Sequence, residues 1–395
     1  MVAGGFAAGW LLQRGLVAEP PGSHGPATLI PHKNAALPKA AGIVLTSTGS
    51  AQIRELAGSL NEAVPARLAA TARGFLGTSG LRHDHGVWEL LLAHWALADG
   101  SGMIAFVEKE TSAGDRAWLR PLAWSAWGAA DPEAAFAAGK NLPPDLMRPL
   151  MGSIAEVDAK KAAAFALRVP DAQFVFATFA SKLADQAPEM IPALLQRAMY
   201  DGARQPLQRA QVQALAKTDP AAAIEAARRA GNIGSDPVPP AVAAAAAHDP
   251  VKTAEAVAAM PASRSKALSV VSLAGAWAAR DPAAAAEWVR QTQQGPVRHS
   301  ALVEAAAAAG GADPVAGLRL LEEAGWEENG TFTDIAGRGV MQPSETFNST
   351  STIRTAGSLL KQLSLLDAEA ARQFLQEKVP DGLRAAIARE GGLEP

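Results

Sequence analysis

Cysteine is absent from the 395 residues. That excludes disulfides, thiol catalysis, cysteine-ligated zinc and a lipid anchor at a cysteine, and leaves the redox compartment open. Tyrosine occurs once, and aromatic residues make up 5% of the chain. Charge of one sign is also missing, because 36 Lys and Arg nearly balance 39 Asp and Glu, for a net of −3. A nucleic-acid binder carries a basic excess or stripe. The longest basic runs here are the pairs Lys160-Lys161 and Arg228-Arg229, which read as solvated helix faces, so no nucleic-acid partner is expected. The chain has no Gly-x-Ser-x-Gly elbow, no phosphate loop ending in Gly-Lys-Ser/Thr, no His-Glu-x-x-His and no Gly-x-Gly-x-x-Gly. The expectation is therefore no catalytic residue, no cofactor and no resident metal.

What is present is alanine, within a chain that is 49% hydrophobic. Alanine is the best helix former, and runs of β-branched strand formers are scarce. The fold class expected is all-α.

The stretch MVAGGFAAGWLL is apolar until Gln13 and Arg14 interrupt it. Residues 1–18 fit the tail of an export signal or anchor with its start missing, which would put the rest in the periplasm or cell envelope, tethered to the membrane. The alternative is a docked helix in a cytoplasmic protein. Residues 19–49 carry Pro20, Pro21, Gly22, Gly25, Pro26, Pro31 and Pro38 and read as a linker; His24 and His32 in it have no assigned role.

From residue 50 onward one dipeptide recurs. Asp-Pro at 131, 219, 249, 281 and 313 keeps one register, the last four separated by 30, 32 and 32 residues, and a sixth at 236 falls outside it. Proline breaks a helix interior but suits its first position, where the N–H would have no partner anyway. Asp just before it can cap the free amides of the first turn. Each Asp-Pro is thus expected to start a helix of three to four turns. Further starts fit the register at Val64-Pro65, Asp99-Gly100, Asp158-Ala159, Ala187-Pro188 and Asp367-Ala368. Four residues before a start sits Trp95, Trp127, Ile154, Leu183, Leu215, Trp277 or Leu363, and seven after it Phe106, Phe165, Leu194, Trp288, Leu320 or Phe374. Stops follow at Pro143, Pro170, Gly202, Gly231, Pro261, Gly295, Gly325 and Pro380. The expectation over 50–390 is an α-solenoid of about ten helix-turn-helix repeats with a period near 30, since one such unit cannot bury its apolar face alone. Whether the Asp-Pro helix comes first or second in each hairpin is open at this point. Ala245, four before Asp249, marks a soft unit with little to bury. Residues 326–352, where alanine gives way to Thr, Ser, Asn and Gly, read as an irregular insertion or a degenerate unit.

The segments DPAAAAEWV and DPVAGLRLLEEAG resemble the Pro, helix, Trp opening of tetratricopeptide-like α-solenoid repeats, and W-A-x-x-D-P-x-A-A resembles a degenerate repeat of bacterial proteins of that kind. The resemblance implies a protein or peptide partner on a concave face, without cofactor, and carries over no binding residues.

The one cluster of metal-ligating types is His83, Asp84 and His85, with His94 nine residues on, but the spacing matches no standard ligand set; the other reading is a polar turn capping a helix. Trp95, Trp127, Trp277 and Trp288 sit at repeat positions and are expected in the core. Trp118, Trp124 and Trp326 fall off register and are candidates for an exposed binding surface, with packing as the favoured reading. The leading function is a non-catalytic scaffold. The alternatives are an all-α superhelical enzyme acting on an envelope polysaccharide, with Glu89, Glu108, Glu327 and Glu328 as the acids nearest irregular segments, and a structural spacer.

Overall fold

The structure is a computed structural model that describes residues 50–60, 64–231, 236–326 and 349–393. The apolar segment 1–18, the linker 19–49 and nearly all of the 326–352 insertion lie outside the described residues. Within them every regular element is helical and none is a strand, as the alanine-rich composition predicts.

The chain divides into two compact units, residues 1–207 and 208–395. The first holds α1 (Ser50–Leu60), α2 (Pro65–Gly77), α3 (Ser79–Arg82), α4 (His85–Glu110), α5 (Ala113–Ala130), α6 (Pro132–Gly139), α7 (Pro144–Val157), α8 (Ala159–Arg168), α9 (Phe176–Gln186) and α10 (Ile191–Arg197). Helix α11 (Asp201–Ala216) runs over the boundary. The second unit continues with α12 (Pro220–Ala230), α13 (Val238–Ala246), α14 (Pro250–Ala258), α15 (Arg264–Ala278), α16 (Pro282–Thr292), α17 (Gly295–Gly310), α18 (Pro314–Ala324), α19 (Ser349–Leu366), α20 (Ala368–Glu377) and α21 (Asp381–Gly391).

Asp-Pro at 131, 219, 249, 281 and 313 starts a helix each time; the link is one residue at 131 and three residues, ending in the Asp, at 219, 249, 281 and 313. The N–H of Asp131, Asp158, Asp219, Asp249, Asp281, Asp313 and Asp367 donates to the carbonyl four residues back, at 2.7–3.0 Å, and so closes the preceding helix. The same residue's carboxylate accepts the amide three residues on, at 2.8–3.2 Å, and so caps the next. Its backbone is extended, with φ between −140° and −152° and ψ between 85° and 99° at all seven positions. Proline at the next position has no N–H to lose.

The less regular starts obey the same logic. Ala187 makes the backbone bond to Leu183 but has no carboxylate, and the chain enters a 3₁₀ turn at Pro188–Met190 before α10 begins. Asp99 breaks α4 internally at φ −164° and ψ 83°, and its Oδ1 accepts the Gly102 amide at 2.8 Å. Val64 precedes Pro65, the first residue of α2.

Two expectations need correction. The helices opened by these joints run 8–11 residues: α12, α16 and α18 reach three turns, and α6, α8, α14 and α20 fall short of them. Gly231 and Gly325 end α12 and α18 with positive φ, which a residue without Cβ adopts freely. Gly202 is not a stop. It lies in the first turn of α11, and the break falls earlier, at Ala198–Tyr200.

The frame left open by the sequence is visible in the packing. In the second unit α13, α15, α17, α19 and α21 pack each on the next, while α14, α16, α18 and α20 each pack against the helix before and the helix after. In the first unit α5, α7 and α9 form the same kind of row, with α6 between α5 and α7 and α8 between α7 and α9. The Asp-started helix is therefore the short member that follows the joint. In the second unit a single apolar cluster runs from Ile224 through Val270, Leu302 and Leu360 to Ile387. The unit expected to be soft buries Ala245 against Ala216 and Ala223, a contact of small side chains only.

The two flank positions meet across the joint. Trp95 and Phe106, on either side of Asp99, have ring centroids 5.1 Å apart. Trp277 and Trp288, on either side of Asp281, are 6.0 Å apart. Successive short helices also touch: Phe136 of α6 stacks on Phe165 of α8 at 4.1 Å, with the Arg168 guanidinium over both rings.

Candidate binding groove

The His83-Asp84-His85 turn is a capping turn. Asp84 precedes α4 and its Oδ1 accepts the Val87 amide at 3.2 Å. The His83 and His85 rings lie 6.1 and 5.1 Å from the Trp118 ring, and His94 Nδ1 instead meets the Leu90 carbonyl of its own helix at 2.9 Å. Among the described residues no three His, Asp or Glu side chains come together as a metal site. Beside this turn Arg82 grips Asp115 with two bonds, at 2.9 and 2.7 Å. Asp115 is 3% exposed, and the Arg82 and Ser112 donors hold its carboxyl down at about 2 against the burial that opposes them. The pair ties α3 to α5.

Of the tryptophans proposed as an exposed surface, Trp124 is buried. It stands three residues before Trp127 on the same face of α5 and stacks on it at 5.5 Å, so being off register did not turn it outward. Trp118 is half-buried, edge-on to Trp88 at 5.8 Å. Trp326 is half-buried and packs on the second unit's core. Of the four expected in the core, Trp95 and Trp127 are buried, whereas Trp277 and Trp288 are half-buried.

The candidate acids do not converge. Glu108 is paired with Arg120 at 2.6 Å. Burial raises the carboxyl of Glu89, opposed by the charge of nearby His85. Glu327 and Glu328 lie outside the described residues.

A concave feature among the described residues lies between α2 and α4. It is an open groove of about 260 Å³, walled by Pro65 and Ala69 of α2 and by α4 from Trp95 to Glu110. Its floor is the Trp95–Phe106 pair at the Asp99 joint. Arg73 of α2 reaches Glu110 of α4 with bonds of 2.6 and 3.0 Å and lies 5.7 Å over the Phe106 ring. This hydrogen-bonded pair lowers the Glu110 carboxyl and raises the Arg73 guanidinium. Asp99, Ala105 and Lys109 form the rim.

No protein-family model, curated protein or solved structure matches this chain.

What the groove offers is shape and charge: an aromatic floor, small Ala and Gly walls that let a backbone approach, and charged groups at its edge. Half of it was readable, because Trp95 and Phe106 are the flank pair of the Asp99 start. Pro65, Ala69 and Arg73 gave no signal, since nothing local says that α2 lies across the second half of α4.

Proposed function

We propose that this chain is a non-catalytic α-solenoid of tetratricopeptide-like repeats, with a period near 30 residues, that binds a protein or peptide partner. One observation carries the reading: the same Asp, its amide closing one helix and its carboxylate capping the next, recurs at 219, 249, 281 and 313, and at 281 and 313 it links a longer helix of a continuous row to a short one packed beside it. Units that repeat a joint and stack on their neighbours build extended surfaces whose exposed positions are free to specialise for recognition. The apolar run at 2–12 supports an exported or membrane-tethered location.

The test is in-cell photo-crosslinking of the full chain, with the reactive residue placed at single exposed positions on successive repeats. Protein adducts confined to one set of equivalent repeat positions support the scaffold. Hydrolysis of envelope polysaccharide by the purified chain would replace this reading with an enzyme. Full biological activity without any adduct would replace it with a spacer.

A further inference from the structure

The α2–α4 groove carries more information than its shape, and the inference from it rests on the peptide-binding reading above. At about 260 Å³ it is smaller than the roughly 300–1,000 Å³ of sites that enclose a whole small-molecule ligand. It is sized for one apolar side chain of a longer partner. Its rim charges are not equivalent. Glu110 is neutralised by the paired Arg73. Asp99 spends its Oδ1 on the Gly102 amide and the Ser101 hydroxyl and faces no cation, and Lys109 has no ion pair among the described residues. The two therefore mark an anionic and a cationic end. Ten residues apart along α4, they are separated by about 15 Å at the rise of a helix. An extended chain covers that distance in four to five residues, and its first, third and fifth side chains point the same way.

A second observation concerns the groove's buried wall. Trp95 lines it and is 3% exposed, and its indole N–H has no acceptor among the described residues. Buried donors without partners are rare and costly.

We propose that this groove binds an extended peptide segment of the pattern basic–x–apolar–x–acidic. The apolar side chain sits over Trp95 and Phe106, the basic residue lies at Asp99 and the acidic one at Lys109.

The experiment uses the full chain and three capped probe peptides: Lys-Ala-Leu-Ala-Glu, Lys-Ala-Leu-Ala-Lys and Glu-Ala-Leu-Ala-Glu. Binding is followed by titration and by the ¹⁵N-edited signal of the Trp95 indole. The mixed-charge peptide should bind at least fivefold more tightly than either like-charged one and shift the Trp95 N–H resonance. Lys109→Glu, an exposed change that leaves the core alone, should reverse the preference toward Lys-Ala-Leu-Ala-Lys. Ala105→Trp fills the groove from an exposed position and should abolish binding. Equal binding of all three peptides, no binding, or an unchanged preference in Lys109→Glu overturns the proposal. If the cellular crosslinks survive in Ala105→Trp, the scaffold reading stands and the groove assignment fails. If the unaltered chain gives no protein crosslinks at all, the scaffold reading itself fails.

Discussion

The rings of Trp277 and Trp288 stand 6.0 Å apart, facing each other across Asp281. They are eleven positions apart in sequence, and the joint between them turns the chain so that the last turn of α15 and the second turn of α16 share one aromatic contact. Such pairs contribute about 0.5–1.5 kcal/mol beyond simple burial. A double-mutant cycle of Trp277→Ala and Trp288→Ala, read by urea unfolding, should return a coupling in that range. A coupling of zero would mean the two rings only fill space.

The carboxylate of Asp281 accepts the Ala284 amide at 2.9 Å, and its own amide donates to Trp277. Asp281→Ala keeps the backbone bond and loses the cap, for an expected loss of about 1 kcal/mol. Asp281→Asn keeps an acceptor in place and should cost a few tenths. Equal losses for the two would place the effect in charge and not in the hydrogen bond.

Gly100 stands where the other joints have proline or alanine. A β-carbon there would lie 2.3 Å from the Trp127 ring of α5. Gly100→Ala must push the indole away and should destabilise the first unit by about 1–3 kcal/mol, although alanine is the better helix former. Gly382→Ala is the control: a β-carbon there meets nothing within 4 Å. Chemical denaturation of both variants separates the two effects.

The Arg82–Asp115 pair makes stability depend on pH in a defined window. The Asp115 carboxyl is depressed from 3.8 to about 2 in the fold. A depressed acid contributes stability that is complete above its unfolded value and fades as pH falls through its folded value. The native chain should lose about 1–2 kcal/mol between pH 4 and pH 2 from this group, a figure reduced because Arg82 is partly exposed. Asp115→Asn should lack this component and be less stable than the native chain at pH 7. Parallel curves for the two proteins would sink the assignment.

How much of this was legible divides along a physical line. Helix starts were readable because a start is local chemistry: a capping carboxylate and a proline decide it within four residues. The flank pattern at Trp95 and Phe106 was readable for the same reason, although its meaning as a contact across the joint came only with coordinates. Three turns hold for α12 and α18, which Gly231 and Gly325 end as expected, whereas α6 and α14, at 8 and 9 residues, fall short. For Trp124 the packing reading holds and the exposed-surface candidacy fails, because register alone ignores its neighbour Trp127 on the same helix face. The groove depends on Ala69 lying opposite Ala105, a relation between distant segments that no short window encodes.

A link whose Asp281 both closes one helix and caps the next has no slack. Adding a single amino acid between Trp277 and Pro282 would swivel everything downstream by about 100° and slide it along the rod. Deletion would do the reverse. Length variation between related chains should therefore be rare on the aspartate side of each hairpin and collect on the opposite side, in connectors such as 140–143 and 259–263. Whole hairpins can be copied or dropped; fractions of them cannot.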